Sequence, residues 1–340
     1  MSDQFDVIVI GGGPAGYPAA IRAGQNGLKV ACIDAWKNYD GSATFGGTCL
    51  NAGCIPSKAL LESSELLHRA QSEFAAHGIR TGGIEFDLAA MQKRKAGIVK
   101  GMTGGIVQLL KGAGVTALQG RGRLLPGRQV EYTAHDGARR TLSAKHVVLA
   151  SGSTPTALRT APFDGKQIVD SWGALEFDAV PKRLGIIGAG VIGLELGSVW
   201  RRLGADVVVL EAMPEFLAIA DQHLAKEALK HFKKLGLDIR LGAKVTAAKA
   251  GKDGVKVEYT VDGWPAAFWK NCGEGRLLIT TLGPRGWMRP RTAADSAPAV
   301  APRRGRSEDQ PPTPAATGEL ADLRERVSAG AAYLAAGRQD

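Results

Sequence analysis

The feature that most constrains this chain is a repeat. Phe5-Asp6-Val7-Ile8-Val9-Ile10 is a short apolar run that reads as a buried parallel strand, and Gly11-Gly12-Gly13-Pro14-Ala15-Gly16 follows at once. An Ala-rich helical stretch runs to about Asn26, Gly27 stops it, and a second strand, Leu28 to Ile33, ends at Asp34. The same grammar recurs later. Leu184-Gly185-Ile186-Ile187 leads into Gly188-Ala189-Gly190-Val191-Ile192-Gly193, a helix runs to about Leu203, Gly204 stops it, and Asp206 to Leu210 ends at Glu211. The acidic residue stands 23 positions after the first glycine in both copies.

A glycine triplet spaced this way, placed between a strand and a helix with an acidic residue about twenty positions on, is the context of a dinucleotide-binding turn. Gly11 and Gly188 permit the tight turn. Gly13 and Gly190 let the backbone approach a pyrophosphate, and Gly16 and Gly193 let helix and strand pack closely. The helix start offers free N–H groups and the positive end of its dipole to phosphates. Asp34 and Glu211 are expected to accept hydrogen bonds from ribose hydroxyls, and a carboxylate at 211 disfavours a 2′-phosphate, hence NAD over NADP. The fold class implied is α/β, with two Rossmann-like three-layer domains over 1–150 and 151–263.

Between the copies, Pro56 to about His77 and Leu88 to about Lys111 read as helices, the second weakened by glycines, and 115–150 as short strands and turns. After the second copy, His223 to Leu235 has helical spacing. Val245 to Val261 alternates like a hairpin around Lys252-Asp253-Gly254.

Composition narrows the function classes. The chain opens Met1-Ser2-Asp3-Gln4 without a basic and then apolar leader, and no apolar run approaches a membrane span, so the expected setting is the cytoplasm, with no membrane. The net charge of +10 does not point to nucleic acid. Ten Arg, one Lys and eight acidic residues in 264–340 supply +3 of it, and the rest is scattered without a basic run.

Of four cysteines, Cys32, Cys49, Cys54 and Cys272, only Cys49 and Cys54 are close in sequence. A disulfide needs Cα atoms within about 7 Å, and five residues of ideal helix rise by about 7.5 Å, so bridging requires an irregular turn, for which Gly53 and Pro56 are suited. A cytosolic protein seldom keeps a structural disulfide, which favours redox chemistry, and a helix start would favour a thiolate. Buried structural thiols or metal ligands are the alternatives. No second Cys pair or His cluster completes a zinc site, and no metal is expected.

The stretch Gly46-Gly47-Thr48-Cys49-Leu50-Asn51-Ala52-Gly53-Cys54-Ile55-Pro56-Ser57-Lys58 resembles the active-site segment of the class I pyridine nucleotide–disulfide oxidoreductases, most closely the dihydrolipoamide dehydrogenases, over about residues 3–262. The resemblance implies FAD on the first repeat and NAD on the second. It makes Cys49 the interchange thiol of a redox disulfide and Cys54 the thiol beside the flavin. Lys58 approaches the flavin and pairs with Glu195, while Gly122 and Val245 match backbone contacts to the two adenines. Ala150 to Pro155 resembles the crossover between domains. The implied reaction is oxidation of dihydrolipoamide, carried on a lipoyl domain of a 2-oxo acid dehydrogenase complex, with reduction of NAD⁺. The implied assembly is a homodimer. Other readings are a non-catalytic dinucleotide-binding remnant, or another disulfide reductase of the mercuric or glutathione type.

From Trp264 the character changes. Three of six Trp and eight of sixteen Pro fall in 264–340, and Arg outnumbers Lys ten to one. The family's Gly-Asp flavin motif and its His-Pro interface motif do not occur, and His68, His77, His135, His146, His223 and His231 match no catalytic position. The expectation is that 264–340 is an out-of-frame, largely disordered tail, a genuine alternative module being the competing explanation. Residues 284–318 then read as linker and Glu319 to about Ala336 as a frayed helix. The chain is expected to lack the family's interface domain and to be weak or inactive.

Overall fold

The computed structural model describes residues 4–252 and 254–261 with their side chains, together with the backbone of two further strands at 264–268 and 276–279. The chain divides into two compact units, Met1–Arg289 and Pro290–Asp340. All described residues belong to the first unit.

The first repeat is β1 (Gln4–Ile10), α1 (Gly16–Gln25) and β2 (Val30–Asp34). Next come α2 (Gly47–Ala52), α3 (Cys54–Ser72) and α4 (Leu88–Gly112), then β3 (Thr116–Leu125), β4 (Gln129–Ala134) and β5 (Arg139–Leu149). β1 lies between β2 and β5, parallel to both, with Ile10 opposite Ile33 on one side and Leu149 on the other. β3 runs parallel to β2, whereas β4 is antiparallel to both β3 and β5, so the sheet closes into a barrel.

Strand alternation sorts β1 between two cores. Val7 and Val9 face a helix-side cluster with Ala20, Phe45, Leu50, Ile106 and Leu110, while Ile8 and Ile10 face Val130, Tyr132 and Leu142 of the meander. Three layers result: helices, parallel strands, meander. α4 runs its full length despite Gly97, Gly101, Gly104 and Gly105, because Asp87 caps it and Ile106 and Leu110 are buried. The Asp87 carboxylate accepts from Ala90 N at 3.0 Å.

The second repeat follows the short strand β6 (Ile168–Val169) and the one-turn α5 (Ser171–Ala174). It contains β7 (Arg183–Ile187), α6 (Val191–Arg202), β8 (Asp206–Leu210), α7 (Gln222–Leu235) and β9 (Asp238–Arg240). Its layering repeats the first. Leu184 and Ile186 of β7 with Val207 and Val209 of β8 face the helices, and Ile187 and Leu210 face the antiparallel β10 (Ala243–Gly251) and β11 (Gly254–Val261). Asp253, in the expected hairpin turn, lies outside the described residues.

Two described strands lie beyond residue 263. The backbone of β12 (Trp264–Phe268) extends the β10–β11 sheet, and that of β13 (Arg276–Ile279) runs parallel between β6 and β7. The backbone of 276–279 thus belongs to the sheet of the second repeat. Leu277-Leu278-Ile279 is an apolar run like the other parallel strands, masked by the surrounding Trp, Arg and Pro. The expected linker at 284–318, the helix at 319–336 and Cys272 lie outside the described residues.

Candidate active site

Both glycine turns are built alike. Gly11 N donates to Ile33 O and Gly188 N to Leu210 O, each at 2.8 Å, fastening the turn to the neighbouring strand. Gly11 has φ +111° and Gly188 φ +104°, conformations open to glycine. A Cβ at Gly11 would run into the Ala150 carbonyl, and one at Gly16 into the Gly11 carbonyl.

The two carboxylates have a role that the ribose argument missed. Asp34 Oδ2 accepts from Gly12 N at 2.7 Å and Oδ1 from Trp36 N at 2.9 Å. Glu211 Oε2 accepts from Ala189 N and Oε1 from Met213 N, both at 2.8 Å. Each acid thus braces the middle of its own glycine turn and the second residue beyond itself. A carboxylate has about four lone-pair sites, so this bracing leaves acceptors for a ribose. The equal spacing of the two acids is the signal that could have revealed it. Burial pushes the Asp34 carboxyl up, against the pull of the Trp36 and Gly12 N–H groups and the His135 charge.

Beside Asp34 lies a cleft of about 470 Å³ lined by Phe45, Val107, Leu118, Gln119, Tyr132 and His135 among others. Gln119 stands opposite Asp34 in the β2–β3 pairing. His135 Nε2 is buried without a partner. Aromatic walls with a few polar groups fit a planar heterocycle, so the residues present fit an adenosine group at the first turn. Gly122 sits on β3 over the ends of β1 and β2, where a Cβ would come within 3.2 Å of Ile10 and 3.3 Å of Ile33. In the second repeat, Val245 is buried on β10 beside a bulge, and β10 is tied to the acid by Ala243 N donating to Glu211 O at 2.8 Å.

The thiol segment is fastened to the first turn. Gly46 N donates to Gly12 O at 2.9 Å, and Gly13 and Gly47 approach so closely that a Cβ on Gly47 would lie 2.7 Å from the Gly13 Cα. Asn51 braces this loop, its Nδ2 donating to Gly47 O at 2.9 Å and Phe45 O at 3.3 Å. Thr48 Oγ1 donates to Ser153 O at 3.2 Å, tying the segment to the 150–155 crossover.

Gly53 separates α2 from α3, and a Cβ there would lie 2.9 Å from Thr48 O. This close junction brings the Cys49 and Cys54 thiols near enough to influence each other's ionisation. Both are free thiols, Cys49 half-buried and Cys54 the more exposed. Pro56 falls in the first turn of α3, where its missing N–H costs nothing. Cys49 lies in the first turn of α2, but burial outweighs any help from the helix start. Burial first, then its bond to and the charge of Cys54, push it up to about 11, with the Cys54 backbone and Lys58 pulling weakly the other way.

Lys58 and Glu195 meet across α3 and α6. Lys58 Nζ lies 2.7 Å from Glu195 Oε1 and 2.8 Å from Oε2. Ser57 Oγ is 3.2 Å from Cys54 O and 3.4 Å from Glu195 Oε2. Arg202 pairs with Glu65 along the same helix contact. The site therefore joins the first turn, the thiol pair and the second repeat in one network. Among the described residues, no group of three or more His, Cys, Asp or Glu could hold a metal, and no helix is long and apolar enough to cross a membrane.

Comparison with known proteins agrees with this arrangement. The profile of the family described as pyridine nucleotide-disulphide oxidoreductase matches residues 5–264. A dihydrolipoyl dehydrogenase of Cupriavidus necator is 53% identical over 263 residues, 76% of this chain and 55% of that protein. Dihydrolipoyl dehydrogenase 3 of Pseudomonas aeruginosa is 48% identical over 259 residues, covering 76% and 54%. The crystal structure of LpdA from Mycobacterium tuberculosis superimposes with a TM-score of 0.68 at 26% identity, over 82% of this chain and 58% of that one. The chain thus spans about half the length of the curated relatives it matches. By the matched profile, and by the repeated turns with their attached thiol pair, this chain belongs to the pyridine nucleotide-disulphide oxidoreductase family.

Proposed function

We propose that this chain carries the flavin- and NAD-binding parts of a dihydrolipoyl dehydrogenase, with 1–150 serving FAD and the second repeat, from 151 through 263 and on to β13, serving NAD. The observation that carries this reading is the direct attachment of the thiol pair to the first glycine turn, through Gly46 N to Gly12 O and the Gly13–Gly47 approach. FAD would be held by Gly11, Gly13, Gly16, Asp34, Lys58 and Gly122, and NAD by Gly188, Gly190, Gly193, Glu195, Glu211 and Val245. When bound, the flavin supplies the two-electron relay between the thiols and NAD⁺.

The chain's own chemistry is thiol exchange. With Cys49 and Cys54 oxidised to a disulfide, a substrate thiolate attacks the Cys49 sulfur, the S–S bond breaks and Cys54 leaves as thiolate. The second substrate thiol then displaces Cys49, closing the substrate disulfide and leaving the pair reduced. Cys49, held up at about 11, takes a proton at its sulfur at neutral pH. Cys54 opens α3, at the positive end of a helix dipole. The balanced reaction is dihydrolipoamide plus NAD⁺ to lipoamide, NADH and a proton, with the dithiol borne by a lipoyl domain. A cytoplasmic setting, where the disulfides present are usually transient and catalytic, suits it.

The test is a spectrum of the purified chain followed by turnover. A flavin absorbance band, its bleaching by dihydrolipoamide, NADH formation without NADPH formation, and loss of bleaching in Cys49→Ser are expected. A protein that neither carries nor takes up FAD sinks the reading.

A further inference from the structure

We propose that Arg202 and Glu65 are positioning residues that set the register between α3 and α6, holding the start of the helix that carries Cys54 level with the start of the helix that leaves the second glycine turn. The use of this register in electron transfer rests on the proposed redox role. Two ion pairs join the helices, Lys58 with Glu195 and Glu65 with Arg202. Both span the same offset of 137 residues. Equal offsets mean that the helices run in the same direction, with both N-termini at one end. Within each helix the two sites are seven residues apart, a rise of about 10.5 Å. Cys54 is the first residue of α3, and Val191, just past Gly190, is the first of α6. The thiol and the second glycine turn therefore sit at the same end of one helix pair.

Packing alone leaves that register loose. Leu60 and Leu67 of α3 share a buried cluster with Leu194, Val199 and Trp200 of α6, and apolar contact has no direction of its own. The Lys58–Glu195 pair is solvated on its lysine side, which is 58% exposed. The second pair is more enclosed, with 17% of the Arg202 side chain and 38% of Glu65 exposed. Arg202 Nε is buried with no hydrogen-bond partner. An enclosed ion pair with an unpaired N–H adds little stability over an apolar pair of the same shape. The best-attested use of such a pair is to fix register, and here the register decides whether the two helix starts meet.

The experiment is carbodiimide cross-linking of the flavin-free full chain, which joins a lysine amine to a carboxylate only where they touch. The Lys58–Glu195 cross-link, quantified by mass spectrometry, reads whether the helix starts stay level. The Asp6–Lys145 cross-link, from a pair at 2.8 Å within 1–150, is the control. Arg202→Met and Glu65→Gln are each expected to lower the first yield about three- to fivefold, as suits two coupled contacts of one interface, and to leave the control unchanged. The reversed pair, Glu65→Arg with Arg202→Glu, restores most of the yield. In the flavin-loaded chain the single variants should slow reoxidation of reduced flavin by NAD⁺ about fivefold or more, while bleaching by dihydrolipoamide keeps its rate. An unchanged Lys58–Glu195 yield, an equal fall in the control, or a fallen yield with unslowed reoxidation overturns the proposal. Should Arg202→Met not fold, Arg202→Lys carries the same expectations at smaller size. A chain that takes up no flavin sinks the redox reading, whereas the cross-link decides the register without flavin or turnover.

Discussion

The two glycine turns share a brace and differ in what surrounds it. In each, one carboxylate oxygen takes the N–H of the turn's second residue and the other takes the N–H two residues beyond the acid. Around the first, Asp34 is 9% exposed, Phe45 covers Gly12, and the thiol loop is bonded to the turn. Around the second, Glu211 is only half-buried, whereas the helix starts of both turns, near Pro14 and at Val191, are exposed. The same local device thus rests on a buried acid once and on a half-buried acid once. The buried acid, with the thiol loop beside it, belongs to the turn proposed for FAD, and the half-buried acid to the turn proposed for NAD.

The largest expected effect breaks the comparison at its shared part. Gly16→Val places a side chain against the Gly11 carbonyl in the first turn. It should abolish flavin retention and lower stability by several kcal/mol, as backbone-incompatible substitutions in a core do. Flavin-to-protein ratio and urea unfolding measure both. A mid-sized effect sharpens it. Asp34→Asn leaves one turn N–H facing an amide in a buried site and should cost about 1–3 kcal/mol. Glu211→Gln, partly solvated, should cost about 1 kcal/mol or less. Equal losses at the two sites would show that burial does not distinguish them.

The repeat was legible because its glycines, strands and acids are local in sequence, and the layering followed from alternation in β1 and β7. The Lys58–Glu195 pair was reachable only by resemblance, since nothing in spacing brings residues 137 positions apart together. The bracing by Asp34 and Glu211 was missed because each acid was assigned to a ligand before its backbone neighbours were considered. Ser57 and Asn51 were invisible because a small polar residue in a helix carries no spacing signal. β13 was overlooked because composition was judged over the whole of 264–340, which hid four residues of strand.

A further test uses alkaline pH and the thiols of 1–150, since Cys32, Cys49 and Cys54 all lie there among the described residues. Burial raises Cys32 from 9.0 to about 12, and Cys49 from 9.0 to about 11. A group whose folded value lies above its unfolded one binds more protons in the folded state between the two. Stability therefore falls as pH rises through that window, here from about 9 towards 12 for Cys32 and towards 11 for Cys49. Cys49 is partly solvated, so its share should be about 1 kcal/mol after screening, and the enclosed Cys32 should contribute more. Urea midpoints of the reduced protein at pH 8 and 10.5 read the difference. Cys32→Ala should flatten most of the slope and Cys49→Ser a smaller part. A slope untouched by either change would mean that the alkaline loss arises elsewhere and that burial of these thiols is not what makes the 1–150 region pH-sensitive.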